Sequence, residues 1–274
     1  MKDRFAEFPR DLAGRTRQVR FGEIPALLAH PDWTNPAPTV LWLHGRTVNK
    51  ELDPGRYLRW IRAGLAACAI DLPGHGERFD AALQRPEGSL GVLEQAVGEI
   101  DRIVESLADP AHGGMFDLHR LGIGGMSLGG MAVLRRLCDE HPFACASVEG
   151  TTGWLEGLYF PEKVRLPRAG PWVVAHDPAR VKALDPMAHL EGFGPIPLLA
   201  LHSEADQMVP FASMSRFIDR LREHSRQRGA DPSLIELRTW PTTGAPQEHV
   251  GFGRFSNDAK NAQTEFLRKH LAPM

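Results

Sequence analysis

Gly125-Met126-Ser127-Leu128-Gly129 is the stretch of this chain whose residue types and spacing could most directly do chemistry. A serine hydroxyl becomes a useful nucleophile only when a base takes its proton and the backbone projects it toward a substrate. A sharp turn from strand into helix provides that projection. Such a turn forces the serine into an unfavourable backbone conformation and crowds the positions two before and two after it, which favours glycine at both. The flanking sequence has the required order, with residues 120–124 patterned as a strand and 128–138 as a helix. The helix beginning at Leu128 would aim its positive end at an anion formed there.

The base and the acid that orients it must reach the same carboxyl edge of a sheet as the serine. After the apolar run 197–201, the loop His202-Ser203-Glu204-Ala205-Asp206-Gln207-Met208-Val209-Pro210 carries two carboxylates. After the run 234–240, Gln247-Glu248-His249-Val250-Gly251-Phe252 carries an imidazole ahead of a helical pattern. A loop aspartate by itself is usually a solvated cap, and a lone histidine is usually a surface or satisfied core residue. Here Ser127, Asp206 and His249 follow one another at strand ends, an order that suits acyl transfer through a serine. A competing reading takes Gly122-x-Gly124-x-x-Ser127 as a dinucleotide fingerprint, with Glu149 as the ribose-binding acid. It lacks the third glycine and lies mid-chain rather than on a first strand.

The elements that must position these residues follow from the hydrophobic pattern. Strands are expected at residues 17–21, 24–29, 39–43, 66–70, 120–124, 143–148, 197–201 and 234–240. Helices are expected at 55–63, 90–107, 128–138, 214–226 and 257–270. The first two strands read as a hairpin, and the later alternation of strand and helix calls for right-handed crossovers and a mostly parallel sheet. Residues 150–197 break the rhythm with Trp154, Leu158, Tyr159, Phe160 and Trp172 and six prolines from Pro161 to Pro195. Asp177-Pro178 and Asp185-Pro186 read as helix starts within it. This segment is expected to be a lid inserted at about 150–194, whose aromatic rings wall an acyl pocket. The plainer possibility is a long connection that covers core.

Composition excludes several classes. With 274 residues, one α/β domain over 1–274 is expected; 32 Lys and Arg against 34 Asp and Glu give a net charge of −2, so there is no basic field for nucleic acid or anionic lipid. No apolar run approaches the roughly 20 residues that span a bilayer, and the opening residues lack the apolar core of a secretory signal. A cytoplasmic location is expected. Cys68, Cys138 and Cys145 read as buried thiols rather than a disulfide or zinc framework, and the 12 histidines show no H-E-x-x-H spacing. No metal or cofactor is expected, and with nucleic acid and membrane set aside the partner would be a small molecule.

From about residue 17 to 270 the sequence resembles the α/β-hydrolase superfamily. The resemblance rests on Leu41-Trp42-Leu43-His44-Gly45-Arg46, on Asp71-Leu72-Pro73-Gly74-His75-Gly76, on Gly125 to Gly129, and on Leu184-Asp185-Pro186 with Asp206-Gln207-Met208-Val209-Pro210. Bacterial carboxylesterases of the dienelactone-hydrolase and prolyl-oligopeptidase-like branch are similar in these segments. Many such relatives have glycine where Ser203 stands. The resemblance implies a mostly parallel, roughly eight-stranded sheet flanked by helices, with a lid insertion. It also implies that Ser127 is the nucleophile, His249 the general base and then acid, and Asp206 the orienting carboxylate. The backbone amides of Arg46 and Leu128 would hold the oxyanion, and the Arg46 side chain either draws in an acidic substrate or forms a surface ion pair. The implied activity is hydrolysis of small, short-acyl carboxylic esters. A thioesterase, a small-peptide hydrolase and a non-catalytic binding protein on the same fold remain as alternatives.

Overall fold

Runs of apolar residues too short for helices pair into one eight-stranded sheet: β1 (Thr16–Phe21), β2 (Ile24–Ala29), β3 (Ala37–Leu43), β4 (Ala66–Ile70), β5 (Phe116–Met126), β6 (Cys145–Glu149), β7 (Leu198–Ser203) and β8 (Ile235–Trp240). The computed structural model describes residues 9–164 and 174–272. The strand order is β1-β2-β4-β3-β5-β6-β7-β8. β2 runs antiparallel to both β1 and β4, and every other neighbouring pair is parallel. β2, β4, β6 and β7 are buried along their whole length, as strands covered on both faces should be.

Nine helices cover the sheet among the described residues: α1 (Arg10–Ala13), α2 (Pro54–Arg62), α3 (Ser89–Leu107), α4 (Leu128–Arg136), α5 (Leu155–Tyr159), α6 (Pro161–Val164), α7 (Pro178–Leu184), α8 (Phe211–Gln227) and α9 (Ser256–His270). Alternate residues of one strand feed opposite layers, the direct result of a two-residue side-chain period. Leu41 and Leu43 join the core under α3, α4 and α8, while Val40 and Trp42 join the core under α2 and α9.

Register brings the strand ends together. Leu43 pairs with Gly125, Met126 with Glu149, Glu149 with Leu201, and Ser203 with Trp240. The loops leaving these ends, which carry His44, Ser127, Gly150, Asp206 and His249, therefore emerge along one carboxyl edge.

The connection from β6 to β7 holds α5, α6, α7 and a 3-10 stretch, Pro186–Gly192. Asp177 and Asp185 each accept a backbone N–H two residues on, from Ala179 and Met187 at 3.0 Å, so both expected helix starts carry their caps. α7 packs on α3 and α5, and the Pro186–Gly192 stretch packs on α4 and α8.

Candidate active site

Ser127 occupies the turn between β5 and α4 at φ +52° and ψ −121°. A non-glycine residue there costs on the order of 1–3 kcal/mol and persists only where its surroundings hold it. Three bonds do so. The Ser127 amide donates to the Glu149 carbonyl at 2.8 Å, and the Ser127 carbonyl accepts from Thr151 Oγ1 at 2.7 Å and from the Met131 amide at 3.0 Å. The flanking glycines are required by close approach. A Cβ on Gly125 would lie 2.6 Å from the Gly129 carbonyl, and one on Gly129 would collide with the carbonyls of Leu43 and His44.

The structure brings the three expected side chains into one hydrogen-bonded line. Asp206 Oδ2 accepts from His249 Nδ1 at 2.8 Å, which leaves His249 Nε2 to accept the Ser127 hydroxyl at 2.9 Å. Asp206 Oδ1 is held by the amides of Met208 and Val209, each at 2.8 Å. Beneath it, His202 Nε2 donates to the Val209 carbonyl at 3.0 Å and lies 3.5 Å from Asp206 Oδ2. Burial pulls the His202 pKa below its ordinary value, so this ring supports the aspartate as a neutral donor. The other carboxylate of the loop, Glu204, accepts from Thr239 Oγ1 at 2.7 Å and takes no part in the line.

Residues that the sequence did not single out lock the histidine turn. Glu248 Oε2 accepts from Ser203 Oγ at 2.8 Å, from the Thr243 amide at 2.6 Å and from Thr243 Oγ1 at 2.8 Å. Its Oε1 accepts from the Gly244 amide at 2.8 Å. The Thr243 amide leads the set of donors that holds this carboxyl at about 2. The Gln207 amide donates to the Gln247 carbonyl at 3.0 Å, a second tie between the acid and histidine turns. Gln247 and Glu248 both sit at φ +51°, so His249 is delivered by two consecutive left-handed residues. Ser203 is the one member of this clasp that the sequence pattern had marked; the positive φ values left no signal.

On the opposite side lie the two candidate oxyanion amides. Leu128 is the first residue of α4, where a helix offers its amide no internal acceptor. For Arg46, the fixing group is His44. The Leu72 amide donates to His44 Nε2 at 3.0 Å, so the ring proton sits on Nδ1 and is donated to the Gly45 carbonyl at 2.6 Å. Burial lowers the His44 pKa to about 4 and keeps that neutral form. The Gly45 carbonyl and the Arg46 amide belong to one trans peptide and point in opposite directions. Holding the first therefore aims the second.

A cavity of about 360 Å³ opens beside Ser127 and His249. Arg46, Gln84 and Pro86 are among its lining residues, and so are Leu52, Met126 and Val250. The Arg46 guanidinium donates to the Gln84 carbonyl, and burial draws its pKa down. Among the described residues, no aspartate or glutamate lines this cavity.

The rings expected to wall it are placed elsewhere. Trp154, Leu158 and Tyr159 are buried in the core beneath α3, α4 and α8, with Phe160 packed against it. Trp154 and Phe160 line a separate cavity of about 400 Å³ with Pro178 and Asp185. Their apolar surface is better removed from water against the α3 and α7 layer than at an open cleft, which corrects the expectation for these four residues. Trp172 lies outside the described residues.

Glu149, the acid of the dinucleotide alternative, is committed to Arg56. The pair is doubly bonded at 2.6 and 2.9 Å, Gln263 Nε2 donates to Glu149 Oε1 at 2.9 Å, and the guanidinium lies 4.1 Å from the Trp42 ring centre. Among the described residues no group of three or more His, Cys, Asp or Glu side chains could hold a metal, and no helix is long and apolar enough to cross a membrane.

A mostly parallel sheet with a strained serine at the end of its fifth strand, joined through histidine to aspartate, defines an α/β-hydrolase of the serine-hydrolase type. The sequence profile of the prolyl oligopeptidase family matches residues 60–273, and the chain belongs to that family. The match spans Ser127, Asp206 and His249 but begins after Arg46. Esterase YjfP of Escherichia coli strain K12 is 27% identical over 260 residues, which cover 91% of this chain and 96% of YjfP. TT1662 from Thermus thermophilus superposes with a TM-score of 0.69 at 21% identity, covering 95% of this chain and 99% of its own. A putative dienelactone hydrolase from Klebsiella pneumoniae gives a TM-score of 0.64 at 18% identity, over 92% and 97% of the two chains.

Proposed function

We propose that this protein hydrolyses small, short-acyl carboxylic esters through an acyl-enzyme formed on Ser127. The observation that carries the proposal is the unbroken line from Ser127 Oγ through His249 to Asp206, at 2.9 and 2.8 Å. Ser127 Oγ attacks the ester carbonyl as its proton passes to His249 Nε2. Asp206 keeps the imidazole in the accepting tautomer and stabilises the imidazolium. The tetrahedral oxyanion takes hydrogen bonds from the amides of Leu128 and Arg46, a preorganised pair worth a large part of the rate. Collapse breaks the carbon–oxygen bond to the alcohol, which leaves with the proton from His249. Water then attacks the acyl carbon, gives its proton to His249, and releases the acid and free Ser127.

The modest cavity, about 360 Å³ and lined in part by Leu52, Met126 and Val250, supports short acyl groups. Likeness to an esterase over nearly the full length of both chains favours ester hydrolysis. Membership of the prolyl oligopeptidase family favours a second reading, hydrolysis of small peptide amides by the same steps.

A fluorophosphonate probe should label the protein at Ser127, and Ser127→Ala should abolish labelling. Ester turnover by that variant should fall by roughly a thousandfold or more, in line with triad losses in serine hydrolases. Near-normal turnover by the pure variant sinks the assignment. Rates on p-nitrophenyl esters, thioesters and aminoacyl amides separate the two readings, the esterase requiring esters to lead.

A further inference from the structure

A second cavity, of about 310 Å³, adjoins the one at Ser127, and neither Ser127 nor His249 lines it. Gly45, Leu52, Met126 and Val250 line both. These four residues are the partition between the two spaces. Gly45 has no side chain, and Met126 is the residue immediately before the serine. Its unbranched thioether is half-buried and packs against the core beneath α2 and α9. A methionine in that position is an adaptable closure, because its side chain re-packs at small cost.

The chemistry of the second cavity differs from that around Arg46 in the first. It carries four charged residues, Asp53, Arg56, Glu149 and Lys260. All are paired with one another: Arg56 with Glu149 at 2.6 Å and with Asp53 at 3.3 Å, and Lys260 with Asp53 at 2.7 Å. Two cations and two anions leave no net charge to attract an ion. The remaining surface includes Trp42, Leu52, Pro54 and Met126, which suits an uncharged apolar group. An ester held at Ser127 has two arms that diverge from its carbonyl carbon. Arg46 makes part of the first cavity cationic, while the residues it shares with the second are uncharged.

We infer that the second cavity is a subsite for the neutral, apolar arm of the ester, and that Met126 determines how far that arm reaches. The inference rests on the serine-esterase reading of Ser127. Wild-type protein then prefers a short neutral arm because Met126 stands across the entrance, and the space behind it is already shaped to take a longer one.

The test is a kcat/KM series on p-nitrophenyl esters from acetate to laurate and on acetates of alcohols of matching lengths. Met126→Ala should raise the ratio of long-arm to short-arm kcat/KM by about tenfold or more in one series, the scale expected when a packed pocket gains or loses a methylene. Met126→Phe should shift the preference toward shorter arms. Adding Ser256→Phe, which puts a ring into the second cavity without touching the first, should cancel the gain of Met126→Ala. Leu52→Ala opens the same partition and supplies the readout should Met126→Ala fail to fold. Profiles parallel to wild type in both series, with acetate still hydrolysed and Ser127 still labelled, overturn the subsite. A gain that survives Ser256→Phe overturns it as well. Absence of labelling and of turnover in the wild type overturns the serine-esterase reading instead.

Discussion

The two walls of the cleft at Ser127 are built on opposite principles. The wall that carries Asp206 and His249 is a closed set of hydrogen bonds: Asp206 fills both oxygens, Glu248 accepts four donors, and Ser203 and Gln207 tie one turn to the other. The facing wall, Arg46, Thr47, Val48 and Leu52 with Gln84 and Pro86, presents side chains that fill or charge a space. A misplacement of a fraction of an ångström on the first wall breaks a proton path, whereas on the second it changes which molecule fits. Chemistry is thus fixed by bonds that allow one geometry, and selectivity is left to side chains that can be exchanged.

The sharpest way to break that contrast is Asp206→Asn. It keeps the shape of the turn but presents an amide that favours the wrong imidazole tautomer, and kcat should fall on the order of 10⁴-fold. Glu204→Gln, two residues away and bonded to Thr239, should leave kcat near wild type. The reverse ranking in steady-state kinetics would move the orienting role to Glu204.

A smaller effect is expected from the clasp. Glu248→Gln puts an NH2 donor in place of an oxygen that accepts at least the Gly244 amide, so kcat should fall by about tenfold with little change in KM. Ser203→Ala should give a weaker version of the same loss. In the Asp206→Asn background either change should add little, because the line it positions is already broken. Full additivity in such a cycle would assign the clasp to stability alone.

On the facing wall, Arg46→Ala keeps the oxyanion amide and removes only the guanidinium. If that charge draws in an acidic arm, KM for carboxylate-bearing esters should rise by about tenfold, with neutral esters barely changed, as for loss of one charge-assisted contact. An equal rise for both kinds of ester returns Arg46 to a packing role.

The smallest expected effect is the response of His44 to acid. An unfolded histidine binds a proton from about pH 6.5, while burial holds folded His44 neutral to about 4. The folded pKa is the lower of the two, so the unfolded chain takes up the proton first. Stability is therefore lost as pH falls from about 6.5 toward 4. His44→Gln should flatten the slope of the urea midpoint between pH 7 and pH 5; an unchanged slope would show that other buried histidines carry it.

Much of this architecture was legible because its signals are local. All eight strands lie where short apolar runs end at turn residues, and Gly125 and Gly129 announce a close approach that only glycine permits. β5 runs longer than expected because it starts at Phe116, ahead of Arg120, and includes Asp117 and His119, polar side chains that an apolar pattern skips. The triad was legible from order along the chain, since parallel strands deliver successive loops to one edge. Pocket walls were not. Trp154 and Tyr159 have the composition of a lining and the burial of a core, and only three-dimensional packing distinguishes the two. The left-handed Gln247 and Glu248 carry no glycine to mark them.

Glu149 ties the assembly of the site to the order in which the chain is made. Its carbonyl holds the Ser127 amide, while its carboxylate meets Arg56 from α2 and Gln263 from α9. Arg56 and Glu149 can meet before α9 exists, but Gln263 and His249 both arrive after the last strand of the sheet has formed. A nascent chain that has completed β6 therefore holds the serine without its base and with the support beneath it half built. His249 can reach Ser127 only once nearly the whole described chain has emerged, which separates exposing the serine from giving it a partner.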